Sequence, residues 1–593
     1  MKGTSLLCFG VICCLLQGQT ATQSSPPPAS GPTGTIKVTT RLVQISVVAH
    51  DHHGNVIGDL AKQDFEITDD GKPQTISQFS VDALNRGAVN SASASPVMPR
   101  NIVTNRPERQ SNVPTSVTVL LLDLYNTHLT DQMYGRKQII KFLRQIRPED
   151  RVAVYLLKGN GFSVVHDFTN NSESLLTALA KVVPGFSHEL NASDFDAANT
   201  GNDQLDSMID TSNTTMSNFY TRNRVINTCV SFQVLATHLA GIPGRKNVVW
   251  VSGGFPISFG YGDAQDTADQ TATNSGAAAQ DREIFADYIE AASRAMNNSN
   301  VAVYPADARG LMGLPMADAS RQFKMTRGGQ LPPAALHVDQ KNMDTMNYIA
   351  DLTGGKAYYN TNDIEGAIRR AIDDSSVTYT LGYYVPESNW NNRYHKIKVK
   401  VKRSGVAVRT KKGYFAQEQP VPTPAKLEQI LRDTLWSPLD ATTLEVSARI
   451  DPSPALPNAS RVYFGLNTTE VQFKQEKERW ASSLDVIFAQ QTKRGKLLTD
   501  YKQTINIHAT PEQYAALRAK GLTAGRDLTL NPETQAIRIV ILDRESGLTG
   551  SVTIPVTPQD KSGAHVTPAP PPGQTGTSSP AQAQDPFSKP PGL

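Results

Sequence analysis

Within residues 115–375, short apolar runs alternate with amphipathic segments, and this alternation constrains the fold more than any other feature. The runs "VTVLLL", "RVAVYLL", "KNVVWVS" and "VAVYPAD" are typical of strands buried on both faces. Segments between them, such as "QMYGRKQIIKFLRQI", place apolar residues on one helical stripe. Repeated strand–helix units require crossovers, so the sequence predicts a doubly wound parallel α/β sheet. Polar insertions at about 185–220 and 257–280 interrupt it, with no role indicated.

Antiparallel β modules are predicted on both sides of this unit. In residues 36–84, Val43, Ile45 and Val47 alternate with polar residues, and the turn sequences "DHHGN" and "DDGK" follow. Residues 376–418 repeat the alternation in "KIKVKVK", whose lysine row we interpret as a solvated face rather than a polyanion site. Because the two modules bracket the α/β unit, we expect them to pair into one sandwich in which that unit is inserted.

The rest of the chain divides into one further β-rich region and three loose stretches. Strand-like segments separated by turns predict a β-sandwich over residues 426–557. The Pro- and Ser-rich segment 22–35 and the stretch 85–114 lack the apolar residues for a core, so both are predicted to be linkers. The Pro-rich tail 563–593 is predicted to be disordered for the same reason.

Residues 1–21 have the character of a signal peptide with a short apolar core. Cys8, Cys13 and Cys14 fall within that leader, so Cys229 is the one cysteine expected in the mature chain, which then has no internal disulfide. No later segment is apolar and long enough to predict a transmembrane helix. The net charge of +3 gives no indication of a nucleic-acid partner. We therefore expect a secreted or periplasmic protein.

Several blocks of the sequence resemble a known family, and they follow one another in one order. The blocks are "VVAHDHHGNVIGDLAKQDFEITDDGKPQTISQF", "LLLDLYNTHLTDQMYGRKQIIKFL", "LAGIPGRKNVVWVSGGFP", "VAVYPADARGL", "IADLTGGKAYYNTNDIEGAIRRAIDDSSVTYTLGYYVP" and "YHKIKVKVKRSGVAVRTKKGY". Together they cover most of residues 36–416. They resemble the VWFA-related family of secreted, acidobacterial-type proteins, whose central unit is a von Willebrand factor A-like (VWA-like) domain. The resemblance implies this fold and a protein partner.

The resemblance also implies a site for a divalent cation. In adhesion-type A domains the ion is held by an Asp and two hydroxyls of one loop, a Thr of a second loop and an Asp of a third. Asp123 matches the first Asp and Thr127 the second hydroxyl, whereas Tyr125 stands where a Ser is expected and Ser252 replaces the third-loop Asp. We therefore predict a degenerate site for Mg²⁺ or Ca²⁺. Alternatively, Asp123 only accepts backbone N–H groups where its strand ends.

The same residues also allow an enzymatic interpretation. Phosphatases of the haloacid dehalogenase type use a nucleophilic Asp after one strand and a Ser or Thr after another, which Asp123 and Ser252 match. Tyr125 replaces the general acid/base carboxylate of that class, and Asp373 and Asp374 end a helix rather than a strand. A Ser/His/Asp hydrolase is disfavoured because "VSGGFP" lacks the G-x-S-x-G turn.

The leading hypothesis is a secreted, non-enzymatic binding or adhesion protein whose VWA-like domain contacts another protein. A structural or assembly component of the cell envelope is the alternative, and the phosphatase is the least favoured interpretation. Thr214, Thr215 and Thr221 remain open candidates for the second-loop Thr. Asp307 and Arg309 are interpreted as an ion pair that orders a turn.

Overall fold

The computed structural model describes most of the chain between residues 40 and 556. The described ranges are 40–83, 102–106, 117–191, 200–242, 244–254, 275–311, 333–386, 393–416, 422–453, 459–492 and 495–556. The predicted signal peptide, the first linker and the Pro-rich tail lie outside them, as does most of the insertion at 257–280. Within these ranges, no helix combines the length and apolar character needed to cross a membrane.

The described strands, in chain order, are β1 (Thr40–His50), β2 (Phe65–Asp69), β3 (Lys72–Gln74), β4 (Gln78–Ala83), β5 (Val103–Thr104), β6 (Val117–Asp123), β7 (Val152–Lys158), β8 (Gly161–Thr169), β9 (Lys246–Ser252), β10 (Val301–Asp307), β11 (Val377–Pro386), β12 (Tyr394–Val401), β13 (Ala407–Arg409), β14 (Gly413–Phe415), β15 (Val446–Pro452), β16 (Ser460–Leu466), β17 (Lys474–Glu476), β18 (Arg479–Gln491), β19 (Leu497–Ala509), β20 (Leu522–Leu528), β21 (Ala536–Asp543) and β22 (Thr549–Pro555). The helices are α1 (Leu129–Leu143), α2 (Ser172–Ala180), α3 (His188–Asn191), α4 (Asp203–Leu239), α5 (Ser275–Asn298), α6 (Pro333–Thr353), α7 (Ile364–Asp373), α8 (Pro424–Trp436) and α9 (Pro511–Lys520).

Strands from both flanking segments share two antiparallel sheets. One sheet has the order β13–β1–β11–β4 and the other the order β14–β12–β2–β3. Along β12, Ile397 and Val399 are buried while the lysines between them are exposed, as the two-residue period of a strand requires. Apolar side chains of both sheets, including Ile45 and Ile67, form one core. Each sheet therefore contains strands that the α/β domain separates along the chain.

A five-stranded sheet with the order β10–β9–β6–β7–β8 forms the centre of the α/β domain. Strands β6, β7, β9 and β10 run parallel, and every residue of β6 and β9 is buried. Side chains of α4, α5 and α6 cover one face, and those of α1, α2 and α7 cover the other. Asp123, Ser252 and Asp307 end β6, β9 and β10, so all three lie at the carboxyl edge, where ligands bind in such sheets.

The predicted all-parallel sheet is wrong at one edge, because β8 runs antiparallel to β7. Lys158 pairs with Gly161, so the two strands are joined by a tight hairpin. A connection this short cannot form the crossover that a parallel pair needs. The sheet is therefore mixed, and the edge strand carries exposed side chains as well as buried ones.

The C-terminal region contains two further antiparallel sheets. One sheet has the strand order β20–β16–β15–β5, and the other has the order β17–β18–β21–β22. Strand β19 also belongs to the second sheet, where it pairs with β18. Side chains from both sheets, such as Phe464 and Phe488, contribute to one apolar core. The described part of the chain is thus a multidomain α/β protein with several antiparallel sheets and one mixed sheet.

Strand β5 lies inside the stretch 85–114, so the prediction of a linker is wrong for residues 102–106. Val103 and Thr104 pair with β15, more than 300 residues later in the chain. The side chain of Asn105 donates to the carbonyls of Ala441 and Leu444 at 2.7 and 2.8 Å and accepts from the backbone N–H of Val446 at 2.9 Å. This segment is ordered by backbone and amide hydrogen bonds, which hydrophobic periodicity does not reveal.

Helices α8 and α9 were not predicted within the β-rich region. Thr423 and Thr510 accept hydrogen bonds from N–H groups in the first turn of α8 and α9, respectively, and a proline follows each of them. A Thr–Pro pair is a typical helix start, so the sequence did contain the signal. Helix α8 packs on β18 and β21 through Leu427 and Leu431.

Hydrogen bonds connect the end of α4 to the C-terminal region. The hydroxyl of Thr442 donates to the carbonyl of His238 at 2.6 Å and accepts from the N–H of Gly241 at 2.7 Å. A ring nitrogen of His238 lies 2.7 Å from the carbonyl oxygen of Asp440. These contacts orient the C-terminal region against the α/β domain.

Candidate functional site

The carboxylate of Asp123 is fully buried and accepts five hydrogen bonds. Its Oδ1 accepts from the backbone N–H groups of Tyr125 and Asn126, at 2.9 and 2.8 Å. Its Oδ2 accepts from the Asn126 amide at 3.0 Å, the Trp250 indole at 2.9 Å and the Ser252 hydroxyl at 2.9 Å. A carboxylate offers about four lone-pair positions, so protein donors fill them all.

Burial raises the pKa of the Asp123 carboxyl, and the hydrogen bonds from Asn126, Ser252 and Trp250 offset only part of that rise. Every one of these groups donates a proton, so together they favour the charged form of Asp123. The arrangement is that of an anion solvated by fixed protein dipoles in place of water. It ties the end of β6 to the loop that follows and to β9.

The structure brings the three predicted ligands to the same edge. The hydroxyl of Thr127 accepts from the N–H of Gly253 at 2.8 Å, while that of Ser252 faces Asp123 directly. All three side chains are at most 1% exposed. Both hydroxyls are thus engaged by the protein itself, and the group joins the first loop to the loop after β9.

Tyr125 points into the protein, away from the position expected of a metal ligand. Its ring is 3% exposed and belongs to the core beneath α4, where its hydroxyl accepts from the Asn227 amide at 3.2 Å. Burial raises the pKa of this phenol, and the neighbouring Glu189 raises it further. Tyr125 therefore serves as a core residue that anchors the loop.

Sequence reasoning missed Asn126, Thr228 and Trp250. The amide of Asn126 donates both to Asp123 and to the Thr228 hydroxyl, each at 3.0 Å, and so connects the loop to α4. An Asn three residues after a strand-ending Asp is typical of a side-chain-capped turn, which was an available signal. Nothing local to Thr228 or Trp250 in the sequence indicates their contacts.

The candidates for the second-loop threonine all belong to α4, on the N-terminal side of Thr228. The hydroxyl of Thr215 donates to the carbonyl of Thr211 on its own helix at 2.9 Å. The threonine that reaches the Asp123 loop is Thr228. Asn126 Oδ1 is buried with no hydrogen-bond partner among the described residues, and it is a single neutral oxygen. A hard cation needs several oxygens with more negative charge.

Two other predicted groups are ion pairs. Arg309 Nη2 lies 2.7 Å from Asp307 Oδ2, and the backbone N–H of Arg309 also donates to this carboxylate, at 2.9 Å. Asp373 Oδ1 lies 3.1 Å from Arg147 Nη1. Each pair orders the end of a strand or helix.

A second carboxylate cluster lies in the sandwich formed by the flanking strands. Asp69 Oδ2 accepts from the hydroxyls of Tyr383 and Tyr414, both at 2.9 Å. A ring nitrogen of His395 lies 3.1 Å from Asp69 and 3.3 Å from Asp70. Among the described residues, this is the one group of three that could together hold a metal ion. That group is Asp69, Asp70 and His395. With Tyr383 of β11 and Tyr414 of β14, Asp69 and His395 form a network that links the two sheets.

An exposed apolar stripe runs along the first half of α4. It consists of Leu205, Met208, Met216 and Phe219, which are 46–67% exposed. At 100° per residue, these positions fall within roughly 80° of one helix face. We call this set the α4 stripe.

The α4 stripe projects beyond the carboxyl edge of the sheet. Thr228 marks that edge, because it contacts the Asp123 loop through Asn126. Residues 203–227 precede it on the same helix, and at 1.5 Å per residue they extend roughly 35–40 Å further. The exposed Phe186 lies on the same side of the domain, next to Gly185, whose N–H and carbonyl both bond the Gln132 amide.

Comparison with known proteins gives only distant likenesses. No family model and no curated protein matches this chain. Among solved structures, the VWA domain of SpRpn10 is 11% identical, with a TM-score of 0.15, and the match covers 32% of this chain and 88% of that one. The human COPII-coat protein Sec24c is 9% identical, with a TM-score of 0.19, and the match covers 54% and 47% of the two chains. Neither likeness assigns a function to this chain.

Proposed function

We propose that this chain is a non-enzymatic, secreted binding protein whose α/β domain is a VWA-type interaction domain. The α4 stripe is the observation that carries the proposal. Exposed apolar residues that recur on one helix face, here as two pairs on either side of the exposed Ser212, are typical of contacts with other proteins. The apolar face of α4 can pack into an apolar groove of a partner protein, as amphipathic helices do when they bind other proteins.

Binding through the stripe does not depend on a cation. Protein donors fill the oxygens of Asp123, and Thr127 and Ser252 are buried and hydrogen-bonded. This supports a degenerate adhesion site that now stabilises the loops beneath the binding surface. It also supports the absence of phosphatase chemistry, because a nucleophilic Asp needs an oxygen that is open to substrate.

The test is capture of partner proteins from the native envelope fraction by the full chain and by variants. We expect the double variant Met208→Lys/Phe219→Lys to lose partner capture by about tenfold or more, since two charges on an apolar contact oppose its burial. Tyr384→Lys is the matched control, because Tyr384 is a 54% exposed apolar residue on β11, away from the stripe. Capture should survive chelation of divalent ions.

Identical capture by the full chain and the double variant would contradict the proposal and favour a structural envelope component. If the captured protein is a second copy of this chain, the α4 stripe mediates self-association and not binding of a different protein. The location is tested separately by mass spectrometry of the exported protein, which should lack residues 1–21 and carry one free thiol. Cys229 is buried and unpaired in the structure. An intact Met1 on the exported chain would rule out the leader.

A further inference from the structure

A large cavity lies between the inserted α/β domain and the sandwich of the flanking strands. Its volume is about 1030 Å³, which is at the upper end for small-molecule pockets. The sandwich contributes the end of β1, the turn after it and β13. The α/β domain contributes the loop after α1, the end of α7 and the segment around Lys356 and Tyr358. This location is separate from both the Asp123 loop and the α4 stripe.

Cations converge on one wall of this cavity. The Lys356 ammonium lies 5.5 Å from the centre of the Tyr358 ring, and the Arg370 guanidinium lies 5.2 Å from it. Arg409 lines the same wall. Burial lowers the pKa of Lys356, and the nearby positive charges of Arg409 and Arg370 lower it further. Like charges are thus held together at a place where a bound anion would relieve their repulsion.

The buried carboxylate on this wall is already occupied. Asp374 accepts from the Tyr304 hydroxyl at 2.8 Å, lies 2.8 Å from His50 Nε2 and pairs with Arg409. One carboxylate therefore serves several donors, and it offsets only part of the unfavourable burial and repulsion at Lys356. No ion pair of Lys356 is found among the described residues.

The other carboxylates that line the cavity face their own partners or solvent. Asp373 pairs with Arg147 at 3.1 Å, and Asp51 accepts hydrogen bonds within its own turn from Asn55. Glu149 is an exposed residue of the loop after α1. Arg370 does pair with Asp363 at 3.2 Å, but both side chains are more than half exposed, so water screens that pair.

Tyr358 adds an independent sign of a ligand. It is 8% exposed, and its hydroxyl has no hydrogen-bond partner of good geometry among the described residues. Its position is fixed, because its backbone N–H donates to Pro305 and its carbonyl accepts from Asp307, both at 2.8 Å. Burial raises the pKa of the Tyr358 phenol, and a hydrogen-bond contact with Arg370 lowers it. Because that contact has poor geometry, a ligand or water can still complete the hydrogen bonding of the hydroxyl.

We propose that this cavity binds a small anionic molecule whose phosphate, sulfate or carboxylate group sits between Lys356, Arg370 and the Tyr358 hydroxyl. Lysine and arginine supply charge, and arginine also offers paired N–H donors to an oxyanion. The phenol donates the remaining hydrogen bond. The volume of the cavity exceeds that of an inorganic ion, so the anion is one end of a larger molecule.

The first experiment titrates the full chain by calorimetry with inorganic phosphate, sulfate, citrate and glucose 6-phosphate. We expect binding of phosphate or sulfate, weakened by salt, and binding at least about tenfold tighter for one of the two larger anions. If phosphate or sulfate binds and neither larger anion binds more tightly, the site selects the bare oxyanion. The proposal that the anion is one end of a larger molecule is then wrong. No binding of any of the four at 10 mM, a limit of roughly −3 kcal/mol, would overturn it.

Variants distinguish a binding role from a structural one. Tyr358→Phe should weaken anion binding by about tenfold, yet leave the melting temperature nearly unchanged, because the lost hydroxyl makes no hydrogen bond of good geometry in the free protein. Lys356→Met should weaken binding at least as much, and Lys356→Arg should restore it. Lys398→Met is the control, since Lys398 is exposed on β12 outside the cavity. Unchanged affinity in either folded variant would place the anion elsewhere. If one variant fails to fold, the other decides.

Discussion

Asp123 is an internal hydrogen-bond acceptor whose neighbours replace water. Five donors surround it at 2.8–3.0 Å, and they come from the following loop and from β9. Its contribution is therefore to stability, because removing the charge leaves several buried donors unpaired. These hydrogen bonds form a joint between the loop after β6 and the end of β9.

From this arrangement we expect no Mg²⁺ binding tighter than about millimolar by calorimetry. Asp123→Ala should lower the free energy of unfolding by about 3 kcal/mol or more, because buried donors lose their acceptor. Asp59→Ala is the control, since that carboxylate is exposed and pairs only with Arg403 at the surface. Micromolar Mg²⁺ affinity that disappears in Asp123→Ala would show that a cation does compete with the internal donors.

Lys411 makes the stability of the chain depend on pH. It lies between β13 and β14, and burial lowers its pKa to about 8 in the folded protein, whereas the unfolded value is near 10.5. Below pH 8, both states carry the charge and the folded state bears the cost of burying it. Between these two values the unfolded chain binds more protons, so stability rises with pH.

We expect the Lys411 contribution to the free energy of unfolding to rise by on the order of 2–3 kcal/mol between pH 8 and 10.5. Lys411→Met should therefore be more stable than the unmodified chain at pH 7, and the difference should shrink towards pH 10.5. Lys412→Met is a matched control, because the adjacent Lys412 is exposed and pairs with Asp351. Parallel pH profiles for the chain and Lys411→Met would show that this lysine is charged in the folded state.

Strand β5 shows how a two-residue element can be held by one side chain. Asn105 satisfies two carbonyls and one N–H of the segment that leads into β15. It is 4% exposed, so water cannot replace these bonds when the amide is removed. The element depends on the amide rather than on apolar burial.

Asn105→Ala should lower the stability of the C-terminal region by about 3 kcal/mol, since each buried group left unpaired costs about 1–3 kcal/mol. Hydrogen exchange of the β15 amides is the measurement, and their protection should fall. Asn506→Ala, an exposed residue on β19 that bonds Ser483, should leave it unchanged. Equal protection in Asn105→Ala and the unmodified chain would mean that β5 does not stabilise this sheet.

At the scale of the whole molecule, strands that precede the α/β domain in the chain pair with strands that follow it. Strand β1 pairs with β11 from Thr40↔Pro386 to Val47↔Tyr379, and β2 pairs with β12. Nearly the entire α/β domain lies between these partners in the chain. Neither flank can bury its apolar face without the other.

We therefore expect a chain that lacks residues 1–84 to lose the hydrogen-exchange protection of β11, β12 and β14. Loss of long-range strand partners exposes apolar faces and backbone groups together. Deletion of residues 563–593 is the control and should leave these strands protected. Folding of residues 377–416 by themselves would contradict the interdependence seen in the two sheets.

Apolar periodicity determined much of the organisation. The multidomain α/β arrangement with several antiparallel sheets follows from it, because a half-buried strand repeats every two residues and a helix every 3.6. The presence of Asp123, Thr127 and Ser252 at one sheet edge follows from β6 and β9 being parallel neighbours. These features depend on patterns within short segments.

Only the tertiary structure decided what those residues contact. Trp250 and Ser252 reach Asp123 across 127 and 129 positions, and Asn105 reaches β15 across more than 330. The antiparallel β8 and the cation-lined cavity likewise depend on how distant elements pack. Burial and hydrogen-bond saturation arise from contacts between segments far apart in the chain, and no local pattern in one sequence encodes which segments will meet.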